Sequence, residues 1–364
     1  MKKILIFYPS FERGGVEKIL ENLCIFFSKK KKLVYLITNK KSIKIIKKKN
    51  IKIIPIRKIN KFPFKNRVIL SILSLFVLKD LMKKLDAKDT VILSMQSNFF
   101  PTILSFFLKF KIFVRVSEDP CGATKFADNK IFALFVMFSK FITYNLCDRL
   151  IVNGQKSFSC VKKFTFKKKK IRLLYNPSLS KIEKKNKLKK NNYFLNVGRF
   201  CKQKNQSFLI NAFYSFCKTN KEYKLILCGD GPDKERLKAQ VQRLNLKGKV
   251  IFVSWKKNLK NIYKKSKLFI LTSYYEGMPN VLIESINYET PVISTKASGV
   301  DDILLYGKGG LILKKMEINE LVSKIKFSLE NYDKILNRTF LSKKELKKYS
   351  VEKAAQKYID YLSE

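Results

Sequence analysis

The sequence predicts an α/β fold of two doubly wound, Rossmann-like domains that face each other across a cleft. Short apolar runs alternate with helical patterns on both sides of a polar segment, and this alternation is typical of parallel sheets covered by helices. The chain has 364 residues, which exceeds the size at which a single core usually stops growing. Both observations favour two domains over one.

The predicted strands form two groups, separated by a polar, lysine-rich segment at residues 181–190. The first group covers residues 3–8, 33–38, 51–56, 90–94, 111–116, 149–152 and 171–174. The second group covers residues 193–197, 224–228, 250–253, 268–272 and 291–294. We assign residues 1–178 to an N-terminal domain, 179–191 to a linker, 192–345 to a C-terminal domain and 346–364 to a segment with a terminal helix.

Two glutamates, Glu276 and Glu284, bracket a turn between the strand at 267–272 and an apolar helix. Gly277 and Pro279 mark the turn, and apolar residues then recur with helical spacing. Glu276 would lie at the carboxyl end of a parallel strand, where open α/β sheets bind ligands. A carboxylate there can accept hydrogen bonds from a vicinal diol of a ribose or a hexose.

The start of the following helix offers a second kind of contact. Backbone N–H groups from about Met278 to Val281, that of Asn280 included, suit an anion such as a phosphate. The segment therefore indicates a site for a sugar nucleotide. A surface loop with two solvated glutamates is the alternative that this segment alone leaves open.

Another turn, after the strand that ends at residue 197, carries Gly198, Arg199 and Lys204 ahead of an apolar helix. Gly198 would let the backbone turn closely, and a guanidinium with an ammonium is what a pyrophosphate needs when no metal is present. Lysine is so abundant in this chain that Lys204 could stand there by chance. Arginine is rare, so Arg199 is the stronger indication.

A glycine pair, Gly14 and Gly15, lies between the first strand and the first helix. Such a pair allows the backbone to approach a phosphate or a sugar closely. Taken alone the signal is weak, because Gly-Gly is also a common turn and the G-x-G-x-x-G fingerprint is incomplete.

Together these features resemble the retaining glycosyltransferases of family 4, which have the GT-B fold. The matching segments are residues 14–17, Gly198-Arg199 with Lys204, the loop at 228–232, and the E-x7-E signature from Glu276 to Glu284. They follow one another in the expected order over nearly the whole chain. The resemblance implies transfer of a sugar from a nucleotide-diphosphate donor, with retention of the anomeric configuration and without a metal or any other cofactor.

The resemblance also implies a role for each matching residue. Arg199 and Lys204 would hold the donor diphosphate and neutralise the leaving nucleotide, Glu284 would bind the ribose, and Glu276 would contact the hydroxyls of the transferred sugar. The donor-binding backbone would be that of Gly277, Met278, Pro279, Asn280 and Val281. From the other domain, Gly14 and Gly15 would approach the phosphates and the acceptor. The terminal helix is expected to pack back on the N-terminal domain, as in relatives.

The chain contains no histidine, although many members of this family carry one in a loop after a middle N-terminal strand. The corresponding loop is residues 115–120, where Asp119, with Glu118 behind it, lies nearest to the missing imidazole. We interpret Asp119 as the acceptor-side catalytic residue, with a structural loop carboxylate as the alternative. The absence of histidine also excludes Ser-His-Asp triads, Cys-His proteases and H-E-x-x-H zinc sites.

The seven cysteines never occur with C-x-x-C spacing, so a structural zinc site is not expected. Most lie in apolar segments and their number is odd. This pattern favours buried free thiols in a reducing cytoplasm.

The formal net charge of +49 would ordinarily suggest nucleic acid or an anionic membrane as a partner. Lysine far outnumbers arginine here, however, and a codon bias towards A and T produces the same excess without selection for binding. A nucleic-acid partner is therefore not favoured. Lysine runs such as residues 29–32, 47–49 and 167–170 would still draw the protein to anionic lipid head groups.

Residues 57–84 are the local candidate for membrane contact, with a basic and aromatic segment followed by an apolar run at 68–78. That run is too short to span a bilayer but could form a helix at its interface. A buried helix of the N-terminal domain is the slightly favoured alternative, and the same caution applies to residues 99–116 and 131–138. No signal peptide is expected, because Pro9 and charged residues interrupt the first apolar run.

The leading hypothesis is a cytoplasmic glycosyltransferase, peripheral on the inner face of the cytoplasmic membrane. It would move a hexose or N-acetylhexosamine from a nucleotide-diphosphate sugar, with UDP as the expected nucleotide, to a lipid-linked or cell-surface glycan. The alternative hypothesis is a non-catalytic basic protein that binds nucleic acid or anionic glycans on a degenerate fold of the same type. The two differ in whether function depends on Glu276, Arg199 and Lys204.

Overall fold

The computed structural model describes residues 1–9, 15–39, 49–56, 67–184, 188–255 and 258–364. The chain divides into two compact units. Unit 1 contains Met1–Ser180 together with Tyr349–Glu364, and unit 2 contains Lys181–Lys348.

Unit 1 is built on a parallel sheet whose strands, among the described residues, have the order β3-β2-β1-β4-β5-β6-β7. Aliphatic and β-branched side chains dominate these strands and are buried on both faces, as expected for a parallel sheet covered by helices. The strands are β1 (Lys3–Phe7), β2 (Leu33–Thr38), β3 (Ile51–Pro55), β4 (Thr90–Ser94), β5 (Lys111–Val116), β6 (Arg149–Val152) and β7 (Ile171–Leu173).

Helices cover both faces of this sheet. They are α1 (Gly15–Lys29), α2 (Arg67–Met82), α3 (Phe99–Phe107), α4 (Pro120–Lys125), α5 (Lys130–Leu146), α6 (Gln155–Lys163) and α14 (Val351–Ser363). On one face, Phe27 of α1 and Tyr358 of α14 share a core with strand residues such as Ile6. On the other face, α2 and α5 contribute Leu78 and Tyr144 to a second core.

Unit 2 has its own parallel sheet, in the order β10-β9-β8-β11-β12-β13. The strands are β8 (Asn191–Val197), β9 (Lys224–Cys228), β10 (Val250–Val253), β11 (Ser266–Leu271), β12 (Val292–Ser294) and β13 (Leu311–Ile312). The helices are α7 (Gln206–Cys217), α8 (Lys234–Arg243), α9 (Lys260–Lys265), α10 (Asn280–Asn287), α11 (Val300–Ile303), α12 (Ile318–Glu330) and α13 (Tyr332–Lys344).

Two helices of unit 1, α5 and α14, begin just after residues whose side chains cap the first turn. Asn129 precedes α5 and its side chain accepts a hydrogen bond from the Phe132 N–H at 2.9 Å. Ser350 caps α14 in the same way through the Lys353 N–H. Each cap satisfies a backbone donor that the first helical turn leaves without a partner.

In each sheet, the strands that follow in the chain are added first to one side and then to the other. This switch point lies between β1 and β4 in unit 1 and between β8 and β11 in unit 2. Loops that leave adjacent strands at such a point diverge to opposite faces of the sheet and leave a crevice at the carboxyl edge. In unit 2 these loops carry the residues from 198 to 204 and from 272 to 279. The loop after β1 contains residues 10–14, which lie outside the described residues.

The predicted fold class of two doubly wound α/β units is confirmed. The short edge strand β13 was not predicted, because a two-residue strand has no periodicity to recognise. The apolar run at 68–78 forms much of α2, which packs on the sheet through Leu78 and Met82. The basic segment at 57–66 lies outside the described residues. In the part of the chain that the structure describes, no helix combines the length and apolar character needed to cross a membrane.

Candidate active site

Lys204 and Glu276 meet at the switch point of unit 2. Lys204 ends a short 3-10 turn after β8, and Glu276 lies in the loop after β11. The Lys204 Nζ lies 2.5 Å from Glu276 Oε1, and the two side chains are only 19% and 7% exposed. An ion pair removed from water in this way is held in one geometry by its surroundings.

Ser273 provides the second contact to the same carboxylate. Its hydroxyl donates to Glu276 Oε1 at 2.6 Å, so both hydrogen bonds from the protein reach one oxygen. Among the described residues, Oε2 of Glu276 has no hydrogen-bond partner. The carboxylate is therefore fixed through one oxygen and can accept hydrogen bonds through the other.

Backbone hydrogen bonds tie the two loops together. The Tyr274 N–H donates to the Gln203 carbonyl at 2.9 Å, and the Gln203 side chain donates to the Tyr275 carbonyl at 2.9 Å. The Thr272 hydroxyl reaches the Lys204 carbonyl at 3.1 Å. These contacts hold Lys204 and Glu276 in register before any ligand binds.

Three glycines allow close approach at the carboxyl ends of β8 and β9. The stem of Lys204 lies in ordinary contact with the position that a Cβ of Gly198 would take. A Cβ on Gly229 would lie 1.9 Å from the Gly198 carbonyl oxygen, and one on Gly231 would lie 2.3 Å from the Phe200 carbonyl oxygen. The loop at 228–232, noticed in the sequence only as part of the family pattern, thus packs directly beneath the Gly198 turn.

The loop before α10 is buried from Gly277 to Pro279, and α10 begins at Asn280. Gly299 presses against this loop with a φ of 74°, and a Cβ there would lie 2.7 Å from the Gly277 carbonyl oxygen. Val281 follows Asn280 in the first turn, where helical N–H groups have no carbonyl four residues earlier within the helix. The backbone at 277–281 is therefore packed tightly from behind.

Glu284 projects from the middle of α10, where the Tyr263 hydroxyl donates to its Oε2 at 3.3 Å. Burial, and then the negative charge of Glu284, raise the pKa of Tyr263 well above its usual value of 10, so its proton stays in place as a donor. Arg199 is exposed at the carboxyl end of β8, and its carbonyl accepts a hydrogen bond from Gln206 at 3.0 Å. The structure thus joins Lys204 to Glu276 directly, while Glu284 pairs with Tyr263.

In unit 1, Asp119 precedes α4 and is 1% exposed. Its Oδ1 has no hydrogen-bond partner in the described residues. Glu118 is half exposed and forms a 2.9 Å ion pair with Lys140 of α5. Of the predicted glycine pair, Gly15 begins α1, whereas Gly14 lies outside the described residues.

The expectation of buried free thiols is wrong for two cysteines, because Cys121 of α4 and Cys160 of α6 form a disulfide. The fold packs α4 against α6, and a separation of 39 residues gave no sign of this in the sequence. Asp119, Cys121 and Cys160 place one potential ligand atom each within 4.8 Å, but both sulfurs are used by the disulfide. The remaining cysteines are free, and all but Cys201 are buried.

Sequence reasoning also missed a buried arginine at the carboxyl end of β5. Arg115 is 1% exposed, and its guanidinium donates to Ser117 at 2.5 Å, Asn176 at 2.6 Å and Tyr358 at 3.2 Å. These partners come from the next loop, from the segment after β7 and from α14. Arg115 therefore fastens α14 to the edge of the sheet where Asp119 lies, and only its position at a strand end could have indicated this.

Two doubly wound units, each with a parallel sheet that has a switch point, give this chain the GT-B fold. Residues 179–347 match the family model of glycosyl transferases group 1. The resemblance stated from the sequence motifs is confirmed at this level.

Two relatives from Campylobacter jejuni are similar to the chain in sequence. One is N-acetylgalactosamine-N,N'-diacetylbacillosaminyl-diphospho-undecaprenol 4-alpha-N-acetylgalactosaminyltransferase, 27% identical over 369 residues, which cover 99% of this chain and 100% of the relative. The other is the GalNAc-alpha-(1->4)-GalNAc-alpha-(1->3)-diNAcBac-PP-undecaprenol alpha-1,4-N-acetyl-D-galactosaminyltransferase, 29% identical over 233 residues, which cover 62% of this chain and 63% of the relative.

Among solved structures, Anabaena HepE in complex with UDP-glucose is similar in fold. It superimposes with a TM-score of 0.79 over 99% of each chain, at 17% sequence identity. At that identity the likeness supports the fold.

Proposed function

We propose that this glycosyltransferase transfers a hexose or an N-acetylhexosamine from a UDP-sugar to a lipid-linked glycan, with retention of configuration and without a metal ion. The observation that carries the proposal is the buried pair of Lys204 and Glu276 at the switch point of unit 2. A cation and a carboxylate in this position match the two parts of a sugar nucleotide, a diphosphate and a ring of hydroxyls.

The cations stabilise the leaving nucleotide. An ammonium has three N–H donors, so Lys204 can keep its bond to Glu276 and still bind phosphate oxygens. Arg199 adds a planar guanidinium that can contact two phosphate oxygens at once. Charge builds up on the diphosphate as the glycosidic bond breaks, and donors already aimed at that charge lower the barrier.

The carboxylates orient the donor. Glu276 is fixed through Oε1 and can accept sugar hydroxyls through Oε2, while Glu284 can accept hydroxyls of the ribose. The backbone of residues 277–281 supports the donor phosphates and sugar from the start of α10. In this arrangement the acceptor attacks from the face that the nucleotide leaves, and positioning and charge stabilisation replace a dedicated protein nucleophile.

Asp119 of unit 1 is proposed as the acceptor-side residue, and Gly14 and Gly15 as backbone that approaches the phosphates and acceptor. The choice of a lipid-linked acceptor and of an N-acetylhexosamine draws support from the two Campylobacter relatives, whose names describe N-acetylgalactosaminyl transfer to undecaprenyl-diphosphate-linked sugars. The choice of UDP draws support from an Escherichia coli relative, 28% identical over 170 residues, named a UDP-Gal-dependent transferase.

We place the protein at the inner face of the cytoplasmic membrane, and the cysteine pair gives a test of this location. The cytosol keeps thiols reduced, so acid quenching of living cells followed by alkylation of the denatured protein should label both Cys121 and Cys160, while prior oxidation of the purified protein should protect both. Recovery of this pair as a disulfide from intact cells would instead indicate an oxidising compartment.

The donor is tested first by thermal unfolding with UDP, GDP, ADP and CMP at fixed, moderate salt, which suppresses nonspecific anion binding. A ligand at about a hundred times its dissociation constant adds ~2.7 kcal/mol of stability. We expect UDP to stabilise the wild type and to lose this effect in Glu284→Ala, with Glu235→Ala on the surface of α8 as the matched control. Equal shifts with every nucleotide in all three proteins would favour the basic binding protein instead.

The reaction is then tested with UDP-sugars and an undecaprenyl-diphosphate-linked glycan. We expect transfer in the presence of EDTA, and a product whose anomeric proton coupling matches that of the donor. Inversion of configuration, or loss of activity with EDTA that added metal restores, would overturn the corresponding part of the proposal.

A further inference from the structure

The first half of α5 is an apolar helix with almost no cover. Residues 131–138 are all apolar, and among them only Ala133 is buried. Five side chains in this stretch are more than half exposed, from 59% to 82%: Ile131, Phe132, Leu134, Phe135 and Phe138. A helix that is apolar on all sides is normally buried in a protein core or in a membrane.

The neighbouring helix extends the same surface. α3 packs beside α5 in unit 1, and it exposes Phe100, Phe106 and Phe107. The rings of Phe106 and Phe107 stack edge to face with their centres 5.7 Å apart. These eight side chains of α3 and α5 are called the apolar surface below.

Cations border the other end of α5. The ring of Phe166 packs on Phe141 of α5 with centres 5.4 Å apart and is itself 74% exposed. Lys167, Lys168 and Lys169 follow Phe166 directly and are exposed. Residues 155–170 contain no Asp or Glu.

Two exposed or half-exposed carboxylates shortly before α5 in the chain, Glu118 and Asp128, are balanced by cations. Glu118 is neutralised by its 2.9 Å ion pair with Lys140 of α5, and Asp128 precedes the helix between the exposed cations Lys125 and Lys130. The sign of the local charge is therefore positive around an apolar centre.

We propose that the apolar surface inserts into the interface of a bilayer that contains anionic lipids, with Lys167–Lys169 bound to the lipid head groups. Soluble proteins rarely expose contiguous apolar patches of this kind. Aromatic rings beside lysines suit the boundary between head groups and acyl chains, and each lysine near an anionic surface adds to the attraction. Because cations border the apolar surface, an anionic membrane suits it better than an apolar protein surface without acidic residues or a second copy of this basic chain.

The proposal names the membrane contact of the proposed transferase, but it rests on exposure and charge alone and does not require that function. It also differs from the contact expected at residues 57–84, since its residues come from α3, α5 and the segment after α6.

The test is flotation of the full chain with vesicles of phosphatidylethanolamine and phosphatidylglycerol, and with vesicles of phosphatidylcholine. We expect binding to the anionic vesicles, and a loss of at least about ten-fold in partitioning for the double variant Phe132→Ser/Phe135→Ser, because two rings leave the acyl boundary. Both positions are exposed, so the fold should survive. The matched control is Phe327→Ser/Leu341→Ser, which removes two exposed apolar side chains of unit 2.

Charge is tested separately with Lys167→Gln/Lys168→Gln/Lys169→Gln against Lys29→Gln/Lys30→Gln/Lys31→Gln, which lowers the net charge equally. The first triple variant should lose binding to anionic vesicles more strongly than the second. Equal losses in both triple variants, or full binding by the Phe132/Phe135 double variant, would overturn the proposal and leave only nonspecific attraction of a basic protein.

Two further measurements complete the test. Sedimentation of the wild type without lipid should give a monomer; a dimer that the Phe132/Phe135 variant abolishes, together with no flotation, would assign the apolar surface to a second copy and contradict the proposal. Thermal shift with UDP on the same variants separates the two hypotheses. A variant that loses flotation and keeps its nucleotide response supports the membrane surface, whereas flotation without any nucleotide response by the wild type would defeat the proposed function alone.

Discussion

The ammonium of Lys204 lies 2.5 Å from Oε1 of Glu276, and the two residues are 72 positions apart in the chain. Each neutralises the other in a site where both are largely removed from water. In the proposed function, a donor diphosphate would share Lys204 with Glu276. The pair would then contribute both to stability and to catalysis, and the two contributions can be measured separately.

The first prediction concerns this pair. Lys204→Ala and Glu276→Ala should each lower the free energy of unfolding by about 3 kcal/mol, because each leaves a buried charge without its partner. The double variant should lose clearly less than the sum of the two single effects, as expected for residues in contact. Urea unfolding of the four proteins measures this coupling.

Activity should not follow the same pattern. We expect kcat/KM to fall by about 10²–10³ in each single variant. It should stay low in the double variant, because that variant regains some stability but still lacks the Lys204 ammonium that would bind the diphosphate. Lys202→Ala in the same 3-10 turn is the control. Recovery of turnover in the double variant would show that the pair serves stability alone.

The second prediction tests the packing beneath the Gly198 turn. Gly229→Ala would place a methyl group 1.9 Å from the Gly198 carbonyl oxygen, so the loops after β8 and β9 must move apart. We expect a loss of about 1–3 kcal/mol in stability together with weaker binding of UDP, since the moved backbone carries Arg199 and supports Lys204. Calorimetry with UDP and urea unfolding measure the two effects.

Gly248→Ala provides the comparison for that variant. Gly248 has a φ of 78°, but nothing lies within 4 Å of its Cβ position. The substitution should cost about 1–2 kcal/mol for its backbone conformation and leave UDP affinity unchanged. Equal effects of both substitutions on affinity would contradict a special role for the loop at 228–232.

The sequence was sufficient to predict every described strand except β13, and where the loops with the candidate site residues begin. Glu276 and Lys204 could each be assigned to the carboxyl end of a strand, because a strand, a turn and a helix are recognisable locally. Their contact depends on β8 and β11 being neighbours, which is a property of the sheet order. The close packing of Gly299 against Gly277 depends in the same way on the neighbouring positions of β11 and β12 in the sheet.

Other features could not be predicted from the sequence, because composition does not determine which side chains are buried or which ones meet. The apolar run at 131–138 has the composition of a core helix, yet it is mostly exposed. Cys121 and Cys160 are brought together only by the packing of α4 against α6. Arg115 has the sequence context of an ordinary strand residue and is fully enclosed by partners from three parts of unit 1.

The third prediction concerns the pH dependence of stability. The Lys190 ammonium donates to the Glu289 carbonyl at 2.9 Å, and burial lowers the pKa of Lys190 from 10.5 to about 8. Between these values the unfolded chain binds a proton that the folded chain does not. Lys190 therefore contributes a rise in the free energy of unfolding from about pH 8 to pH 10.5, and this contribution is lost as the pH falls through 8.

The measurement is urea unfolding of wild type and Lys190→Gln at several pH values in this range. The wild type should gain stability relative to the variant as the pH rises. Lys189→Gln, which alters the exposed neighbour, should run parallel to the wild type. A constant difference between wild type and Lys190→Gln across the range would contradict the prediction.

The fourth prediction addresses Asp119. Its carboxylate is buried, and Oδ1 has no hydrogen-bond partner among the described residues. An oxygen buried without a partner is costly unless a ligand or a reaction step uses it. If Asp119 acts on the acceptor, Asp119→Asn should reduce turnover by at least about 10² while the response of the protein to UDP stays intact.

Glu118→Gln is the matched comparison, because it removes the neighbouring carboxylate and breaks an exposed ion pair with Lys140. Such a pair contributes at most about 1 kcal/mol, so both stability and turnover should change little. The Asn side chain keeps the shape of Asp119, so a large fall in melting temperature is not expected. Unchanged turnover in Asp119→Asn, with Glu118→Gln equally active, would remove both carboxylates from the mechanism and assign Asp119 to the structure of the loop before α4.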